Sequence, residues 1–141
     1  MENVFLIGRI VFSMLFIGSG IGHLTDTEGS AQYAQSKGIG NARAMVQLSG
    51  VTFLLGGSAI ALGVFTDLAF LLIGLQVLIL AFVMHPFWKL DGAEQQAEMP
   101  HFMKNLSLFG ACLMGFAFFS SLGAVDDAKQ LVGPLFDVDW N

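Results

Sequence analysis

The strongly apolar residues of this chain fall into four nearly unbroken runs, Val4 to Leu24, Met45 to Phe65, Leu68 to Met84 and Leu106 to Val125. A strand in a membrane barrel alternates apolar and polar side chains, so continuous runs predict helices. Each run is close to the ~20 residues that an α-helix needs to cross ~30 Å of hydrocarbon. A helix satisfies its own backbone hydrogen bonds in lipid. The expected fold class is therefore all-α, an integral membrane four-helix bundle, with residues 1–141 as a single membrane domain.

Only Thr66 and Asp67 separate the second and third runs, and one helix through both would be about twice the bilayer thickness. The pattern thus predicts a tight hairpin, with Gly63 loosening one end and Thr66 or Asp67 capping the next helix. Small residues spaced four apart, Gly18 and Gly22, Gly57 and Ala61, and Ser107, Ala111 and Gly115, mark faces where helices would pack closely. Gln47 and Gln76 read as interhelical hydrogen-bond formers. The first run also invites a signal-peptide reading, since Arg9 precedes an apolar stretch ending in "GSGIGH". Its length favours a retained helix.

Composition supports the membrane assignment. Apolar residues make up 55% of the chain, charged residues 12%, and mean hydropathy is +0.70. Such a chain cannot cover itself with polar groups, so the lipid bilayer is its expected partner, and a homo-oligomer is compatible with the same composition. A net charge of −5 with only six Lys and Arg excludes a nucleic-acid-binding face. The lone Cys112 cannot form an intrachain disulfide and reads as small-residue packing. Residues 126–141 hold four Asp against one Lys and read as a solvated end.

Four spans place both termini and the turn at Thr66 on one side, and segments 25–44 and 85–105 on the other. The second side carries Lys37, Arg43, Lys89 and Lys104. The positive-inside bias assigns that side to the cytoplasm and the termini to the periplasm.

The same side collects the informative polar residues. His23 ends the first run, His85 ends the third and His101 precedes the fourth, with Trp88, Lys104 and Asn105 nearby. Three readings compete. The cluster is an interfacial anchor, with Phe87 and Trp88 at headgroup depth and Lys89 and Lys104 reaching lipid phosphates. It is a metal site, for which the ligand spacing is poor, so no metal is expected. Or His23, His85, Trp88, Lys104 and Asn105 are donors around a quinone or another amphipathic ligand. Arg9 is the one charge within a span. It either snorkels outward or meets Asp67 or Gln76 inside.

The segments "GRIVFSMLFIGSGIGHL", "YAQSKGI", "LGVFTDLA", "HPFW" and "FMKNLSLFGA" occur in an order that resembles the DoxX family of small bacterial membrane proteins. The resemblance covers nearly the whole chain. It implies a four-helix protein of the bacterial inner membrane, in some relatives linked to redox systems, including a membrane subunit of a thiosulfate:quinone oxidoreductase. Two positions depart from the family pattern. His23 and Asp67 stand where relatives commonly carry basic residues. The resulting expectation is a redox-associated, quinone-linked membrane subunit with no catalytic residue assigned and with membrane or peripheral redox partners. A non-catalytic anchor or scaffold is the alternative.

Overall fold

The computed structural model describes residues 2–121 and 135–136. They form five α-helices: α1 (Glu2–Thr25), α2 (Thr27–Ser36), α3 (Ala42–Leu62), α4 (Thr66–Met84) and α5 (Gly92–Ser121). A short 3-10 turn, Phe87–Lys89, joins α4 to α5. Four of the helices, all but α2, are long and apolar enough to cross a membrane. Their outward faces are apolar too, with Val4, Met14, Leu55 and Met114 among the most exposed side chains. Lipid, not water, suits that surface.

α1 packs chiefly on α3 and α4 chiefly on α5, while α3 and α4 share a narrower contact. A buried cluster including Phe16, Phe53, Ile60, Phe70, Ile73 and Phe119 fills the centre. Cys112 packs there, its Cβ only 2.9 Å from where a Cβ on Gly74 would stand. That is the packing role expected of it.

Close approach depends on different glycines from those expected at α1. A Cβ on Gly20 would lie 2.6 Å from the Leu54 backbone nitrogen and 2.8 Å from the Gly50 carbonyl oxygen. Gly18 and Gly22 face open space. Two residues along a helix is about 200° around it, so the expected pair stands on the opposite face from the contact. Gly57 against α1 and Gly115 against Phe70 do serve as contact glycines. Gln76 bonds across to α3, whereas Gln47 is exposed.

The α3–α4 hairpin forms where expected, with one correction. Gly63 adopts φ +73°, and the N–H of Val64 reaches back to the Ala59 carbonyl, closing α3 as an αL cap requires. Phe65, not Thr66 or Asp67, holds the cap position of α4, at φ +43° and with no side-chain cap bond. Thr66 and Asp67 are instead fully buried in the first turn. The Asp67 carboxylate accepts the Leu135 N–H at 2.9 Å and the Phe136 N–H at 2.6 Å. It is spent on the returning chain. Apart from these two residues, the acidic tail and the end of the fourth run lie outside the described residues.

Two segments expected as loops are largely helical. Asp26 caps α2 by accepting the Gly29 N–H at 3.1 Å, and Ala31 and Ala34 bury one face of that helix against α3. α5 starts at Gly92 and continues through Pro100. Its 30 residues make about 45 Å of helix, more than the ~30 Å of hydrocarbon. The helix is thus longer than a span requires, and its first turns, "GAEQQAEM", are polar where the rest is apolar, the composition of helix that stands outside lipid.

Candidate functional site: a polar cavity at the histidine end

The C-terminal ends of α1 and α4, the fourth turn of α5 and Ser30 and Tyr33 of α2 come together at one end of the bundle. A cavity of about 220 Å³ opens there. His23, His85, Lys104 and Asn105 line it, and Ser30 and Tyr33 of α2 close its outer side. A second space of about 130 Å³ continues toward the core, sharing His23, Leu80, Lys104 and Asn105 and adding apolar walls such as Phe16 and Phe53. Polar groups thus gather at the mouth and apolar ones deeper in. Trp88 lines neither space. It is half-exposed and packs against Phe82 and Phe102, at ring distances of 5.8 Å and 5.4 Å.

His85 is fixed by a chain of charged groups. Its Nδ1 lies 2.6 Å from Glu98 Oε2, and Lys37 Nζ donates to Glu98 Oε1 at 2.6 Å. The exposed His101 ring stacks on His85, with centroids 5.2 Å apart. Lys37, at the end of α2, is thereby tied to α5. The hydrogen bond from Lys37, then that with His85, holds the Glu98 carboxyl below its ordinary value of 4.5. The same bond to Glu98 raises the Lys37 ammonium above its ordinary 10.5.

The signs of these shifts define a window. The carboxyl contributes stability that is complete above about 4.5 and lost as pH falls through its lowered folded value. The ammonium contributes stability that is complete below about 10.5 and lost as pH rises through its raised one. In detergent, the melting temperature is expected to fall beyond both limits more steeply in the wild type than in a Lys37→Ala/Glu98→Ala double variant. Parallel profiles would show that the tie adds nothing.

His23 is fixed from α3. Ser49 Oγ lies 3.2 Å from His23 Nδ1, and Gln76 Nε2 donates to Ser49 Oγ at 2.6 Å and to the Ser49 carbonyl at 3.2 Å. Neither Glu98 nor Ser49 stands out from composition or hydropathy. The available signal for Glu98 is its Glu-x-x-His spacing to His101. Among the described residues, no three of His, Cys, Asp and Glu gather as a metal set.

Arg9 lies in a different region. It is 4% exposed, buried rather than snorkelling outward, and its carbonyl accepts the Ser13 hydroxyl at 2.6 Å. It borders a cleft of about 410 Å³ between α1 and α5, whose other walls are apolar side chains such as Phe5, Phe12 and Phe118. Of the interior residues considered for it, Gln76 bonds to Ser49, and Asp67 accepts the Leu135 and Phe136 amides.

Four membrane-length helices enclosing a small polar cavity at one end define the chain as a helical membrane protein. The DoxX family model matches residues 4–86, more than half of the chain, and the chain belongs to the DoxX family. That match ends after α4, so it is narrower than the resemblance read along the sequence, and Glu98, Lys104 and Asn105 lie beyond it. No curated protein and no solved structure matches the chain.

Proposed function

We propose that this DoxX-family protein is a redox-associated subunit of the bacterial inner membrane whose histidine-end cavity holds the ring of a quinone. The observation that carries this reading is the convergence of His23, His85, Lys104 and Asn105 on one space of about 220 Å³ with an apolar extension. Ligand sites combine mostly apolar walls with a few placed polar groups. Drug-sized ligands fill ~300–1,000 Å³, so a space this small suits a single ring whose tail runs out into lipid. Trp88 belongs to this reading as an interfacial anchor beside the mouth, not as a wall. The basic side chains on segments 25–44 and 85–105 favour a cytoplasmic position for the cavity.

Thermal-shift titration of the purified protein with a short-chain benzoquinone, in both redox forms, tests the proposal. A saturable rise in melting temperature is expected, weakened about tenfold in apparent affinity by Lys104→Ala or His23→Ala in folded protein. No shift with either form, or a shift insensitive to both variants, would overturn it and leave a non-catalytic anchor for partner proteins.

A further inference from the structure

We infer that His23 and His85 are held in opposite tautomers, so that the cavity offers one ring nitrogen as a donor and one as an acceptor and selects a hydroxyl-bearing ligand over one with carbonyls alone. The choice of ligand rests on the quinone reading above; the tautomers do not.

His85 comes first. Glu98 is paired with Lys37 through one carboxylate oxygen, and an ionised carboxylate only accepts. The proton in the 2.6 Å contact with Glu98 Oε2 therefore sits on His85 Nδ1. A neutral His85 ring then has Nε2 as a bare acceptor.

His23 reverses the pattern. The Ser49 carbonyl oxygen can only accept, so the Gln76 atom 3.2 Å from it is the amide nitrogen. That same nitrogen donates to Ser49 Oγ at 2.6 Å. The Ser49 oxygen could accept a second bond, but among the described residues its hydroxyl proton has no acceptor within hydrogen-bond reach other than His23 Nδ1, at 3.2 Å, and leaving that proton unpaired is the costlier arrangement. Nδ1 of His23 is then an acceptor, and the neutral ring carries its proton on Nε2.

Both rings line the same cavity, together with Lys104 and Asn105. A ring with two carbonyls offers only acceptors and leaves the His85 acceptor unmatched. A hydroquinone matches both rings, because one hydroxyl donates to His85 while the other oxygen accepts from His23. Glu98, Lys37, Ser49 and Gln76 are thus positioning residues, acting through the two imidazoles.

Nitrogen-15 NMR of histidine-labelled full-length protein in detergent at about pH 9, where imidazoles are largely neutral, reads the tautomers directly. His23→Ala and His85→Ala variants assign the signals. Protonated Nε2 at His23 and protonated Nδ1 at His85 are expected; the same tautomer at both would overturn the inference. Under anaerobic conditions a short-chain hydroquinone should bind about tenfold more tightly than its quinone. Glu98→Gln should reverse that preference, since Lys37 takes the amide oxygen and turns the NH₂ toward His85 Nδ1. Should that variant fail to fold, Ser49→Ala is expected to mix the His23 tautomers and leave those of His85 alone. Equal affinity for both redox forms would overturn the selection of ligand even with opposite tautomers. No binding of either form would instead overturn the quinone reading, with the tautomers standing.

Discussion

Gly20→Ala is expected to cost the bundle about 1–3 kcal/mol, the usual penalty for overfilling a tightly packed contact. The new methyl would meet the Leu54 nitrogen, the Gly50 carbonyl oxygen and the Leu54 Cα within 3 Å. All three are backbone atoms of α3, so no side chain can swing aside. α1 itself must lift from α3. Gly18→Ala and Gly22→Ala are the matched controls, because each adds a methyl to the same helix where nothing stands within 4 Å. In detergent unfolding these two should equal or slightly exceed the wild type, since alanine favours helix over glycine by ~1 kcal/mol. Equal unfolding of all three variants would show that the α1–α3 crossing is not set by Gly20.

Asp67→Ala is expected to be comparably damaging, by about 3 kcal/mol, because it leaves two backbone amides without their acceptor. Asp67 is fully buried, and its oxygens take the Leu135 and Phe136 N–H groups. Asp67→Asn keeps one acceptor oxygen and should fall between wild type and alanine. A wild-type unfolding curve for Asp67→Ala would mean that the returning segment contributes nothing to stability. A lysine or arginine here could not accept either bond, so this chain's acidic residue suits its own tail.

The four spans were legible because lipid demands long continuous apolar runs, of which Leu68 to Met84, with Gln76 its one strongly polar side chain, is the plainest. The meeting of His23, His85, Lys104 and Asn105 followed from topology alone, since an up-and-down bundle returns alternate helix ends to one face. What hydropathy cannot report is structure outside the lipid. "TEGSAQYAQS" and "GAEQQAEM" are polar, but they are rich in alanine, glutamine and glutamate, which favour helix in any solvent, and they form α2 and the start of α5. With them went the Lys37–Glu98–His85 chain, whose members come from segments 25–44 and 85–105 and show no spacing that joins them all. The contact glycines of α1 are hidden from spacing for a related reason. A four-residue spacing names a face but not which face meets a neighbour, and Gly18 and Gly22 share theirs with exposed Leu15 and Met14 rather than with α3.

The bundle consists of two helix pairs, α1 with α3 and α4 with α5, that meet along a thinner seam. Gln76 to Ser49 crosses that seam and Lys37 to Glu98 ties the end of α2 to α5, and the two bonds hold His23 and His85, which line the same cavity. A molecule entering there is a wedge between two leaves of a book. Its affinity and the stiffness of the spine are then reciprocal quantities: whatever pries the leaves apart from the membrane side must loosen the wedge, and a bound wedge resists bilayer forces that would slide one leaf along the other.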